Sequence, residues 1–103
     1  MWEINLKEPF LNHILNPKFI TPKESIQVWQ KIGFLKKDPT PDHQKTKIKL
    51  KNKYLQMGKE EIPLFRLRSG TYRIFYTFLK QNIFVLFSSI ILKSSCEIKL
   101  EYN

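Results

Sequence analysis

Three runs late in the chain, LFRLR from Leu64, YRIFYTF from Tyr72 and IFVLFSSIIL from Ile83, are separated only by SGT and by LKQN. Each run is alternating or continuously apolar over the length of a strand, and both separators carry turn chemistry, so the chain folds back here as an antiparallel meander. A sheet of this kind has an apolar face that must be covered, and the segments upstream supply the cover. In EPFLNHILNP, Pro9 fits a first helical turn, Phe10, Leu11, Ile14 and Leu15 lie on one side, and Asn16-Pro17 ends the helix. In TPKES, Thr21 caps a second helix, Pro22 takes its first position, and Glu24 falls where a capping box places its carboxylate. Val28, Trp29, Ile32 and Leu35 then share a face until KKDPTP stops the helix with two prolines. Ahead of both, WEINL alternates as a strand with Trp2, Ile4 and Leu6 on one face.

Between positions 38 and about 58 the pattern is ambiguous. KTKIKLKNK alternates lysine with Thr46, Ile48, Leu50 and Asn52, which suits a strand or a helical turn followed by loop, and a basic connector is expected. CEIKLEY, near the end, is either a short edge strand or an ordered tail. The expected order is β-α-α-β-β-β, an α+β fold with two N-terminal helices packed on a mainly antiparallel twisted sheet, in one domain spanning 1–103 without internal repeats.

The 103 residues, 42% of them hydrophobic, suffice for one modest core without staples. Cys96 is the single cysteine and cannot form an internal disulfide, and the N-terminus lacks a basic head followed by a long apolar run. The run from Ile83 to Leu92 falls short of the ~18 residues a membrane span needs. A cytoplasmic protein with no membrane partner is expected.

The charge balance names a class of partner. Eighteen Lys and Arg against nine Asp and Glu leave +9, the footprint of a nucleic-acid binder, although a basic surface kept for solubility or for an acidic protein partner would carry the same excess. Between Lys45 and Arg73, six lysines and three arginines face only Glu60 and Glu61, a surplus of seven. All three arginines of the chain, Arg66, Arg68 and Arg73, lie in FRLRSGTYRIFYTF, whereas fifteen lysines are scattered elsewhere. With Ser69 and Gly70 as a two-residue loop, Arg68 pairs with Thr71, Arg66 lies directly across from Arg73, and the three guanidinium groups share one face. Phe65, Leu67, Tyr72 and Ile74 then form the buried face, and Tyr72 and Tyr76 belong to packing. Facing like charges destabilise a ladder, and an anion between them resolves the conflict; the planar guanidinium fork matches a phosphate in a way lysine does not.

The stretch LFRLRSGTYRIFY resembles the hairpin signature of RelE/ParE-type toxins of type II toxin–antitoxin pairs. The likeness continues in MWEINLKEPFL, in KDPTPD after the second helix and in the lysine-rich segment at Lys47 to Lys51, so it covers nearly the whole chain. It implies a compact β-α-α-β-β-β domain, a cognate antitoxin protein as partner and, for the RelE branch, ribosome-dependent endoribonuclease activity on mRNA in the ribosomal A site. Carried over by position, it implies that Arg73 and Arg66 act on the scissile phosphate. Where the family commonly ends in an arginine and then a tyrosine, this chain has Lys93 and, out of register, Tyr102. The ParE branch implies a different activity, inhibition of a protein target such as DNA gyrase, and an inactive relative that only binds an antitoxin is the third alternative.

RNA cleavage of this kind needs a 2′-hydroxyl to lose a proton and attack the adjacent phosphorus while charge grows on the phosphoryl oxygens, which cations stabilise. By the resemblance the catalytic candidates are Arg66, Arg73, Lys93 and Tyr102, and the RNA-binding candidates are Lys47, Lys49, Lys51 and Arg68. His13 and His43 are expected in surface or capping roles, which leaves a lysine crowded by other cations, among Lys47, Lys49, Lys51 and Lys93, to act as base. No metal-ligand spacing, Gly-rich phosphate loop or Ser/Cys nucleophile with a placed base is present, so no metal or cofactor is expected.

Overall fold

The chain forms one five-stranded sheet in the spatial order β1-β5-β4-β3-β2, as seen in a computed structural model that describes residues 2–90. Its elements are β1 (Glu3–Leu6), α1 (Glu8–Ile14), α2 (Pro22–Lys37), β2 (Lys47–Met57), β3 (Glu60–Ser69), β4 (Tyr72–Leu79) and β5 (Asn82–Ile90). β1 runs parallel to β5, and every other pairing is antiparallel. CEIKLEY, Lys93 and Tyr102 lie outside the described residues.

α2 starts as its sequence dictates. The Thr21 hydroxyl accepts from the Glu24 backbone N–H at 3.2 Å, and the Glu24 carboxylate accepts from the Thr21 backbone N–H at 3.2 Å and from its hydroxyl at 2.7 Å. Val28, Ile32 and Leu35 of α2 join Phe10 and Ile14 of α1 against Phe65, Leu67, Tyr72, Ile74, Tyr76, Ile83 and Val85 of the sheet. Trp2, Ile4 and Leu6 flank this core on one side, as their alternation requires. Two residues depart from the expected helix faces: Leu15 caps α1 and is exposed, and Trp29 is partly exposed while its ring meets Phe10 edge-on at 5.9 Å. Tyr72 and Tyr76 are buried, and their hydroxyls donate to the Phe19 and Pro39 carbonyls, which ties the central strand to the segments at either end of α2.

The connector is a strand. Residues from Lys47 onward pair with β3, giving the fold one strand more than the alternation alone supported. Lysine is a weak strand former, and what holds the segment extended is the open edge of β3; a lysine-rich strand at the border of a sheet also discourages further pairing. β3 likewise begins before the expected start, at Glu60, because Pro63 lies beyond the β3–β4 ladder and beside an irregularity in β2, where its missing N–H costs little.

β4 occupies the middle of the sheet, so Ile74, Phe75, Tyr76 and Thr77 are buried although they alternate between faces. On the face turned away from the helices a second cluster forms from Leu64, Phe75, Leu86 and Phe87, with Phe75 and Phe87 stacked at 4.8 Å. Leu86 joins it through a bulge: Phe75 pairs with Phe87 but Tyr76 with Val85, leaving Leu86 as the extra residue.

Candidate phosphate-binding face

The β3–β4 hairpin decides which charges meet. Its loop is Gly70-Thr71, not Ser69-Gly70, with Gly70 at φ +61° in the first loop position, the conformation a tight hairpin turn asks of glycine. Ser69 is consequently the last residue of β3 and pairs with Tyr72. The shift moves the facing pair. Arg68, not Arg66, lies directly opposite Arg73, while Arg66 faces Phe75 and is the diagonal neighbour of Arg73. The loop still contains two residues, so all three arginines remain on one face, the one away from the helices.

Arg73 is the anchor of this face. Its Nη1 donates to the Gly70 carbonyl at 2.7 Å and to the Tyr72 carbonyl at 2.9 Å, which pins the guanidinium over the turn. Its Nε is buried and has no hydrogen-bond partner among the described residues. Burial, and then the charges of Arg66 and Arg68, pull its pKa below the ordinary arginine value, so the site disfavours the positive charge it holds. Among the described residues no carboxylate pairs with any of the three. Three guanidinium groups gathered on one face with no carboxylate among them suit an anion with several oxygens. Beside this triad Phe75 and Phe87 furnish an apolar floor. The role of these two rings was not legible in the sequence, where Phe75 sits in a run apolar on both faces.

The expected lysines do not join the arginines. Lys47 pairs with Leu67 and Lys49 with Phe65, so strand alternation puts both on the helix side of the sheet. Lys47 is also engaged there: its Nζ donates to the Asp38 carbonyl at the end of α2 at 2.7 Å, a contact that satisfies a terminal helix carbonyl. Lys49 and Lys51 are exposed and line a cleft with Leu50, Asn52 and Tyr54 at the β2 irregularity. His13 is only partly exposed, with its ring 5.2 Å from that of Phe19 and 6.1 Å from that of Tyr72, and its Nε2 is buried without a hydrogen-bond partner among the described residues. Burial lowers its pKa against the opposing effect of a hydrogen bond to the Ser88 backbone. It is thus a half-buried group in the last turn of α1, beside Tyr72 of β4, and not part of the arginine face.

No protein-family model matches the chain, and no curated protein matches it in sequence. Among solved structures it is similar to a chain of the archaeal RelE–RelB complex from Pyrococcus horikoshii OT3, with a TM-score of 0.65 and 18% identity over 86% of this chain and 93% of that one. The fold is RelE-like.

Proposed function

We propose that this chain is the toxin of a toxin–antitoxin pair and that its arginine face grips the sugar–phosphate backbone of messenger RNA on the ribosome for cleavage. The observation that carries this reading is the gathering of Arg66, Arg68 and Arg73 on one face of the sheet without a carboxylate partner among the described residues. In this reading Arg73 and Arg66 bind the oxygens of the scissile phosphate, and Arg68, the most exposed of the three, holds a flanking phosphate. The 2′-hydroxyl attacks the adjacent phosphorus and the 5′-oxygen departs, while the guanidinium groups stabilise the charge that accumulates on the phosphoryl oxygens. Lys47 and Lys49, on the other side of the sheet, are set aside as bases; Lys93 and Tyr102, beyond the described residues, remain the candidates for moving the protons. The fold neighbour is a complex of RelE with RelB, and by analogy we assign this chain a protein antitoxin that covers the arginine face.

One observation favours a second reading. No histidine or carboxylate accompanies the arginines among the described residues, as suits a ParE-like toxin that binds a protein target such as DNA gyrase and cuts nothing. Toeprinting of ribosome-bound message separates the two: wild-type protein should produce new 3′ ends within the A-site codon, and an intact message together with inhibited gyrase supercoiling would transfer the assignment to the second reading. An intact message with active gyrase would leave an antitoxin-binding relative without either activity.

A further inference from the structure

The strongest feature outside the arginine face is the irregularity of β2. Lys49 pairs with Phe65 and the next ladder pair is Tyr54 with Pro63, so residues 50–53 all stand opposite Leu64. The extra chain is accommodated by Asn52 at φ +55°, a left-handed conformation that asparagine tolerates better than most residues. The excursion opens a cleft of about 300 Å³ lined by Lys49, Leu50, Lys51, Asn52 and Tyr54. Tyr54 is 53% exposed, a large cost for a ring that had an apolar cluster available on the other face of the same strand. Among the described residues neither Lys49 nor Lys51 has a carboxylate partner.

A flat exposed ring beside two unpaired ammonium groups is the pattern that takes a base by stacking and its backbone by charge. We infer that this cleft is a docking position for one nucleotide of single-stranded RNA, with the base stacked on Tyr54 and the neighbouring phosphates on Lys49 and Lys51. Asn52 supplies an amide at the cleft wall for the base edge or the 2′-hydroxyl. Tyr54 and Lys49 lie on the helix side of β2, the edge strand next to the arginine-bearing β3, so an RNA held by both sites passes over the border of the sheet. The inference rests on the proposed function only in taking RNA as the ligand. An acidic polypeptide would also meet the lysines but gains little from a stacking ring, which is why RNA is favoured.

The test is fluorescence anisotropy with a labelled uridine-rich hexanucleotide, at several salt concentrations, on the full chain and its Tyr54→Ala, Tyr54→Phe, Lys49→Ala/Lys51→Ala and Arg73→Ala variants. Tyr54→Ala should weaken binding roughly fivefold to a hundredfold, the range for losing one stacked base, and Tyr54→Phe should keep it within about twofold. The lysine pair should flatten the slope of log affinity against log salt by about 0.7 for each phosphate that is no longer neutralised. Binding by Tyr54→Ala and by the lysine variant equal to wild type, or no RNA binding by wild type, overturns the inference. Should Tyr54→Ala lose its fold, wild-type-like binding by the lysine variant is by itself enough to overturn it. The two readings fail separately: Tyr54-dependent binding without cleavage removes only the nuclease assignment, and Arg73-dependent cleavage with Tyr54-independent binding removes only the cleft.

Discussion

Arg68 and Arg73 face each other across the β3–β4 ladder one position from the turn, two like charges with no carboxylate between them among the described residues. Opposed like charges on a ladder cost stability, and the pair persists beside a turn whose Gly70 carbonyl Arg73 also binds. Repulsion concentrated at one end of a hairpin, with the rest of the hairpin well packed, suits that end to receive an anion.

Arg73→Ala is expected to lower the rate of message cleavage by ~10²–10³, the usual effect of removing one preorganised donor to a developing oxyanion. Its thermal midpoint should move by less than about 4 °C, because two hydrogen bonds to carbonyls disappear while repulsion from Arg66 and Arg68 is relieved. Toeprinting beside a melting curve checks both, and full cleavage by this variant would refute the catalytic assignment.

Leu67→Ala should have the opposite signature. Leu67 is 1% exposed in the main core, and its truncation is expected to cost ~2–5 kcal/mol while the folded fraction keeps its chemistry. Urea denaturation measures the destabilisation, and activity per folded molecule gives the rest. A variant as stable as wild type would mean that Leu67 does not lie on the buried face of the hairpin.

Thr21→Ala removes the capping box of α2 and should cost about 1 kcal/mol, read as a lowered urea midpoint. Glu24 is held below the usual carboxylate range by the Thr21 hydroxyl, then by the Thr21 backbone. Its folded value is the lower one, so its contribution is present above the unfolded value of ~4.3 and is lost as pH falls through the folded value. The difference between wild type and Thr21→Ala should therefore shrink in melts taken at progressively lower pH below about 4.3.

His13 governs a higher window. Burial holds its folded pKa below the ordinary value, so the unfolded chain binds the proton more tightly than the folded one. Stability should be full above about pH 6.5 and fall as the pH drops toward and through the folded value, whereas Glu24 and Asp38, both shifted down, titrate below that window. Melts between about pH 7.5 and 5 should slope for wild type and flatten for His13→Gln. Equal slopes would place the titrating group elsewhere.

Features that depend on neighbours in the chain were legible from the residues alone. The Thr21–Glu24 cap is an i, i+3 interaction, the burial of Val28, Ile32 and Leu35 follows from helical period, and the common face of Arg66, Arg68 and Arg73 follows from strand period plus a two-residue loop. All of these are local geometry, which a sequence states directly. What needed the tertiary structure was register and partner. A slip of one loop position preserves the face but exchanges Arg66 for Arg68 opposite Arg73, and only the ladder, which pairs Ser69 with Tyr72, decides between them. The strand at Lys47–Met57 exists because β3 offers it an edge, and that pairing sends Lys47 and Lys49 to the far side of the sheet from the arginines.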